Sequence, residues 1–206
     1  MRKITCHCEQ VFNVDLPESV NLDLEPGIIK DITNGSFLTC VCPTCGAVLH
    51  TDLKTRIEWP SHELTLTLIP EIERLSYLSG NYVDKIETSV VIGYAELADR
   101  MAVIAAGLDP LAIEYLKYHL AVKALEANES PKIAVYFEKL TEKGDIVLHI
   151  HGIKDNEVAV STVPRSVYEE ILKDTRKTPK DETCAALTNG QYVSYQNILI
   201  EKNPHA

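Results

Sequence analysis

The chain has 206 residues, 45% of them apolar and 24% charged, and carries a net charge of −10. That length admits one ample core or a small module with a second domain, and no uncharged apolar run approaches the roughly 18–20 residues of a membrane span. Residues 1–60 hold 5 basic and 8 acidic side chains, residues 61–130 hold 5 and 11, and residues 131–206 hold 10 and 11. With no basic third, nucleic-acid binding is disfavoured; Arg165, Lys173, Arg176, Lys177 and Lys180 form the one local basic cluster.

Read in chain order, Ile4–Cys6 and Val11–Val14 predict short strands around Cys6-His7-Cys8. Leu24 to Asn34 predicts a helix with Pro26 in its first turn and Gly35 after its end. Phe37–Val41 leads into Cys42-Pro43-Thr44-Cys45 and Ala47–His50 leads out, each hook lying between strands that can pair as a hairpin. Residues 15–36 are then an insertion. Leu64, Leu66 and Leu68 alternate with Thr65 and Thr67, a strand with one buried face between Pro60 and Pro70. Trp59, the only tryptophan, reads as an anchor at a domain joint. Residues 71–87 are polar and weakly patterned.

Ser89–Ile92 is a β-branched run, and Gly93 separates it from Tyr94, Leu97, Met101, Ile104 and Leu108 at helical spacing. Asp109-Pro110 caps the next helix, Leu111 to Glu126, whose two apolar rows imply central burial or an oligomer interface. Lys132–Thr141 and Asp145–Gly152 predict a hairpin around Lys143-Gly144, with Glu157–Val163 as a third antiparallel strand. Ser166–Lys173 predicts a short helix with Val167, Tyr168, Ile171 and Leu172 inward. Thr175–Thr183 reads as a loop and Gln191–Ile200 as a last strand. The fold class is α+β: a zinc-ribbon-like β module with a helical insertion over residues 1–70, a helix pair reaching about residue 128, and an antiparallel β-rich region over 129–206.

The chemistry concentrates in the hooks. Five of the six cysteines fall within the first 45 residues, and the start of the chain lacks the apolar stretch and cleavage site of a signal peptide. That pattern favours metal over disulfides and a cytoplasmic location. Cys6, Cys8, Cys42 and Cys45 are the expected ligands of a structural zinc ion, because two tight turns with two thiolates each close a tetrahedral all-sulfur site with no position left for water. Cys42 and Cys45 also fit a dithiol redox pair, but that motif opens a helix, whereas Ala47–His50 reads as a strand. An iron–sulfur cluster would use the same four thiolates. Cys40 reads as a buried thiol, Cys184 as a structural or idle one, His119 as packed, and His7 as exposed. His149 and His151 alternate on one strand and share a face without a third ligand nearby. No phosphate loop, nucleophile elbow or His-Glu-x-x-His stands in the sequence, and no carboxylate pair is set apart by an apolar surround.

Ile4-Thr5-Cys6-His7-Cys8 with Phe12, Leu22-Asp23, Thr33-Asn34-Gly35 and Cys42-Pro43-Thr44-Cys45-Gly46 make up the first half of a longer pattern. Ile92-Gly93-Tyr94-Ala95-Glu96-Leu97 and Ala106-Gly107-Leu108-Asp109 continue it. Together they resemble the CpXC domain family over roughly the first 120–130 residues. The resemblance implies a bacterial or archaeal metal-binding protein and assigns no activity. The first hook departs from the family's Cys-Pro-x-Cys: it is one residue shorter and lacks proline, which leaves Cys40 and His7 open as substitutes for Cys6 or Cys8. The expected role is a zinc-binding module presenting a surface for a protein partner or for self-association, with no membrane association. The alternatives are an enzyme with its site between ribbon and C-terminal β region, or a dithiol redox protein.

Overall fold

In the computed structural model, which describes residues 1–127, 133–177 and 181–202, the chain packs into two compact units, residues 1–98 and 99–206. The first unit opens with an antiparallel hairpin, β1 (Arg2–Thr5) and β2 (Val11–Val14). Strand β3 (Ser19–Asn21) and helix α1 (Gly27–Thr33) follow, then a second hairpin, β4 (Thr39–Val41) and β5 (Val48–His50). Strands β6 (Thr55–Trp59), β7 (Leu64–Ile69) and β8 (Ser89–Ile92) join β3 in a mixed sheet of order β3-β6-β7-β8. The pair β3/β6 is parallel, β6/β7 antiparallel and β7/β8 parallel.

The strand expected from the leucine alternation is β7, but it lies inside a four-stranded sheet, and its other row is covered too: Thr67 and Ile69 are buried with Leu66 and Leu68. Two strands escape the sequence reading. In β6, Thr55, Ile57 and Trp59 are buried while Arg56 points outward. The alternation is present, but charges hide it. Trp59 is thus a core residue of this sheet's end, its ring centroid 3.8 Å from that of His62. The polar stretch 71–87 contains a further short helix, α2 (Arg74–Leu78).

Turn chemistry explains several motif residues. Gly35, at φ 82°, carries the chain out of α1, and the Ser36 and Phe37 N–H groups both donate to the Asp31 carbonyl at 2.9 Å. A side chain at this left-handed φ would be strained. Gly93, at φ 79°, starts the turn into α3 (Tyr94–Ala105). There the Glu96 carboxylate accepts from Ile92 N–H (3.3 Å) and from Arg74 (2.8 Å), while the Tyr94 hydroxyl donates to carbonyls of α1.

The second unit takes up α3 after Ala98 and centres on α4 (Pro110–Ala127). As expected, Asp109 caps α4: its carboxylate accepts from Ala112 N–H at 3.1 Å. The two apolar rows of α4 are covered within the unit, since it packs on β9 (Ala134–Leu140), α5 (Arg165–Thr175), α6 (Glu182–Leu187) and α7 (Tyr195–Lys202). Central burial is the answer to that helix. Strands β9, β10 (Ile146–Lys154) and β11 (Glu157–Val163) form the expected antiparallel sheet, with β10 in the middle. Lys132, the expected start of β9, lies outside the described residues. In α5, Tyr168 is buried but Val167 faces out.

Two expectations at the C-terminus change. The segment read as a loop supplies the end of α5 and, from Asp181, the cap of α6, with its carboxylate accepting from Cys184 N–H; residues 178–180 lie outside the described part. The segment read as a strand is α7. Its aromatic content suggests β structure, yet within α7 Tyr195 and Ile198 are buried, three residues apart as on one face of a helix. The Glu114 carboxylate accepts from Tyr195 N–H at 3.0 Å, satisfying an N–H group that a helix start leaves unpaired.

The sequence also conceals a buried ionic cluster. Lys117 is 2% exposed and donates to Asp99 and, at 2.9 Å, to Glu114; both carboxylates are buried. Asp99 further accepts from Phe137 N–H at 2.6 Å, and Arg100 stands 4.0 Å from Glu114. Burial raises the Asp99 carboxyl above its usual range despite Lys117. Removing the cation strands two carboxylates in the core, so Lys117→Met should cost about 3–5 kcal/mol, read from denaturant midpoints. A loss within about 1 kcal/mol would mean that water reaches the cluster.

Candidate metal centre

Each hairpin of the first unit ends in a hook, and the two hooks are built alike. In the first, Cys6 N–H donates to Gln10 O and Glu9 N–H to Cys6 O, both at 2.9 Å. In the second, Cys42 N–H donates to Ala47 O at 2.9 Å and Gly46 N–H to Cys42 O at 3.0 Å. Glu9 (φ 66°) and Gly46 (φ 72°) take the same left-handed conformation directly after Cys8 and Cys45. The hooks are the same turn, closed over one residue fewer in the first. This matching lets Cys-x-Cys deliver its thiols as Cys-Pro-x-Cys does.

The four sulfurs converge. Cys6 Sγ lies 3.6 Å from Cys45 Sγ and Cys8 Sγ lies 3.7 Å from Cys42 Sγ, and all four lie within 4.8 Å of one another. No pair is a disulfide; all six cysteines are free thiols. Cys6 and Cys42 are buried and Cys8 and Cys45 exposed, so the cluster sits at the surface end of the hairpins. Cys6 and Cys42 rest on a small apolar group with Cys40 and Leu49, lined by Ile4, Phe12, Val14 and Ala47.

The cluster's electrostatics suit a cation. The backbone N–H of Cys45 points at the Cys42 sulfur and, against burial and aided by Thr44 N–H, brings that thiol down to about 6. Cys8 N–H acts likewise on Cys6, but burial and the neighbouring thiols outweigh it and push Cys6 up to about 12. Four thiols this close cannot all ionise without a cation among them. Four soft sulfur donors this close together could hold a metal ion.

Other candidates fall outside this group. Cys40, in β4 opposite Leu49, is buried, and burial raises its thiol. His7 is exposed. Cys184 is buried in α6 with its sulfur 3.8 Å from Thr175 O. His149 and His151 share a sheet face as their spacing predicts, with ring centroids 6.4 Å apart and Glu138 3.4 Å from His149 Nδ1. Among the described residues, only the four hook cysteines form a metal-capable group. His119, expected to be packed, is exposed beside Tyr115, their ring centroids 4.6 Å apart. Of the basic cluster near the C-terminus, Arg165 pairs with Glu169, Lys177 with Asp174 and Arg176 with Asp109.

Residues 4–117 match the family described as CpXC protein. The chain belongs to the CpXC family. It is also 33% identical over 220 residues to an uncharacterized protein of Treponema pallidum (strain Nichols), an alignment covering 98% of this chain and all of that protein. No solved structure matches the chain. No helix among the described residues is long and apolar enough to cross a membrane.

The mirrored turns make a testable asymmetry. Space around Gly46 is open, so Gly46→Ala meets only the left-handed backbone and should lose about 1 kcal/mol. Glu9→Gly relieves the same strain against the greater freedom of an unfolded glycine, and should fall between neutral and about 1 kcal/mol of gain. Thermal midpoints of the two variants check this, and equal losses would contradict the shared turn.

Proposed function

We propose that this chain is a zinc protein in which Cys6, Cys8, Cys42 and Cys45 hold a structural zinc ion that stabilises a surface for protein interaction or assembly. The observation carrying the metal reading is the sulfur spacing. Tetrahedral zinc with bonds of about 2.3 Å sets its sulfurs about 3.8 Å apart, close to the 3.6 and 3.7 Å of the cross-hook pairs. Four protein ligands saturate the ion, so the role is structural rather than hydrolytic. Such sites contribute roughly 10–16 kcal/mol in small zinc modules, on the scale of a whole domain's stability.

The surface reading rests on valines beside the hooks. Val41 and Val48 face each other across β4 and β5 and are 61% and 59% exposed. Val11, opposite Thr5 next to the first hook, is 43% exposed. Exposed apolar side chains beside the hooks favour an interaction face over a solvated one.

Elemental mass spectrometry of the natively purified protein should give one zinc per chain, lost in the Cys42→Ser, Cys45→Ser double variant and kept in Cys40→Ser. Iron, or a metal-free protein with a reducible Cys42–Cys45 bond, would overturn the structural-zinc reading in favour of redox chemistry. For the assembly half, Val41→Lys with Val48→Lys should leave zinc content intact and abolish association measured by light scattering. A wild-type chain that stays monomeric over a wide concentration range removes self-association and leaves a heterologous partner.

A further inference from the structure

The first unit contains a cleft of about 570 Å³ that belongs to neither hook. Its volume is within the roughly 300–1,000 Å³ of small-molecule sites. Arg2, Lys54, Arg56 and Lys85 line it, together with Thr67 and Thr88. Residues 1–98 carry seven basic and fourteen acidic side chains, so more than half of the unit's cations gather at one concavity of a strongly acidic unit.

The local structure explains the gathering. Arg56 on β6 and Thr67 on β7 are register partners, so they share the polar face of the sheet. Thr67 is buried, and its hydroxyl pairs with that of Thr88 at 2.8 Å, which brings the segment before β8 over this face. Arg2 Nη2 donates to the Pro17 and Lys54 carbonyls at 3.0 and 2.7 Å, fixing the guanidinium at the rim.

The two arginines retain donor capacity. Arg2 has no carboxylate within ion-pair distance among the described residues. Arg56 meets Glu58 through Nε at 2.8 Å, and its terminal nitrogens have no partner among the described residues. The lysines are neutralised only by exposed pairs, Lys54 with Asp84 and Lys85 with Glu87, of the kind that contribute about 0–1 kcal/mol. Glu18 and Glu87 also line the cleft, leaving its wall with a net excess of two positive charges. A guanidinium fork with free donors matches the oxygens of a phosphate better than any neutral ligand.

We propose that this cleft binds a small phosphate-bearing anion, recognised by Arg2 and Arg56 with Lys54 and Lys85 in support. The site stands apart from the thiol cluster and does not depend on which metal the thiols hold.

The test is calorimetric titration of the full-length, metal-loaded protein with inorganic pyrophosphate at low salt, with citrate as the carboxylate counterpart. The expected result is saturable pyrophosphate binding at one site per chain, weakened by added salt. Arg56→Ala, an exposed change whose folding circular dichroism verifies, should weaken it about tenfold. Lys30→Ala, a cation outside the cleft, should leave it unchanged. Absence of saturable binding, equal affinity in Arg56→Ala, or citrate binding as tightly as pyrophosphate would each overturn the assignment.

Discussion

Four thiols meet at the ends of two hairpins that are each too short to stand alone. Strands of four and three residues, each in a two-stranded sheet, make few ladder bonds, and isolated two-stranded hairpins are marginal in water. Their apolar support is equally small: Cys6, Cys40, Cys42 and Leu49 with a few flanking side chains. Two of those four core residues are themselves members of the thiol cluster. The four sulfurs therefore stand where the two hooks meet. The lowered Cys42 thiol and the raised Cys6 thiol are two sides of one constraint, since crowded thiols share protons until a cation replaces them.

Other residues of the family pattern cap and brace elements of the first unit. Asn34 and Gly35 end α1, the Asn34 carboxamide oxygen accepting from Ser36 N–H at 2.9 Å, and so aim the chain into β4. Asp23 accepts from Ser61 N–H and from its hydroxyl, tying the segment after β3 to the turn after β6. Gly93, Tyr94 and Glu96 shape the start of α3 and bind Arg74 and α1. These residues carry the family resemblance in the sequence. In the fold they cap and brace.

Legibility in the sequence followed how local each signal was. The thiol cluster could be named because four cysteines in two hooks have few other uses, and the matching turns at Glu9 and Gly46 remove the geometric difficulty of the shorter first hook. Strands with plain alternation, such as β7 and β11, were legible as well. Strand β6 was missed because Arg56 and Glu58 masked its buried row, and α7 because aromatic residues favour either state until their partners are known. The ionic cluster was invisible for a stronger reason. Asp99, Glu114 and Lys117 look like ordinary charges on amphipathic helices, and only the packing of α3 against α4 and β9 removes them from water.

That cluster also draws on both the matched segment and the chain after it. All three of its charged members lie within residues 4–117, Lys117 being the last matched residue. The groups that complete their hydrogen bonds from the remaining chain are the backbone N–H groups of Phe137 and Tyr195. A backbone donor can be supplied by any residue type except proline. In this chain the matched segment therefore supplies the side chains that balance charge in the core. The segment after it supplies backbone donors from β9 and from the start of α7.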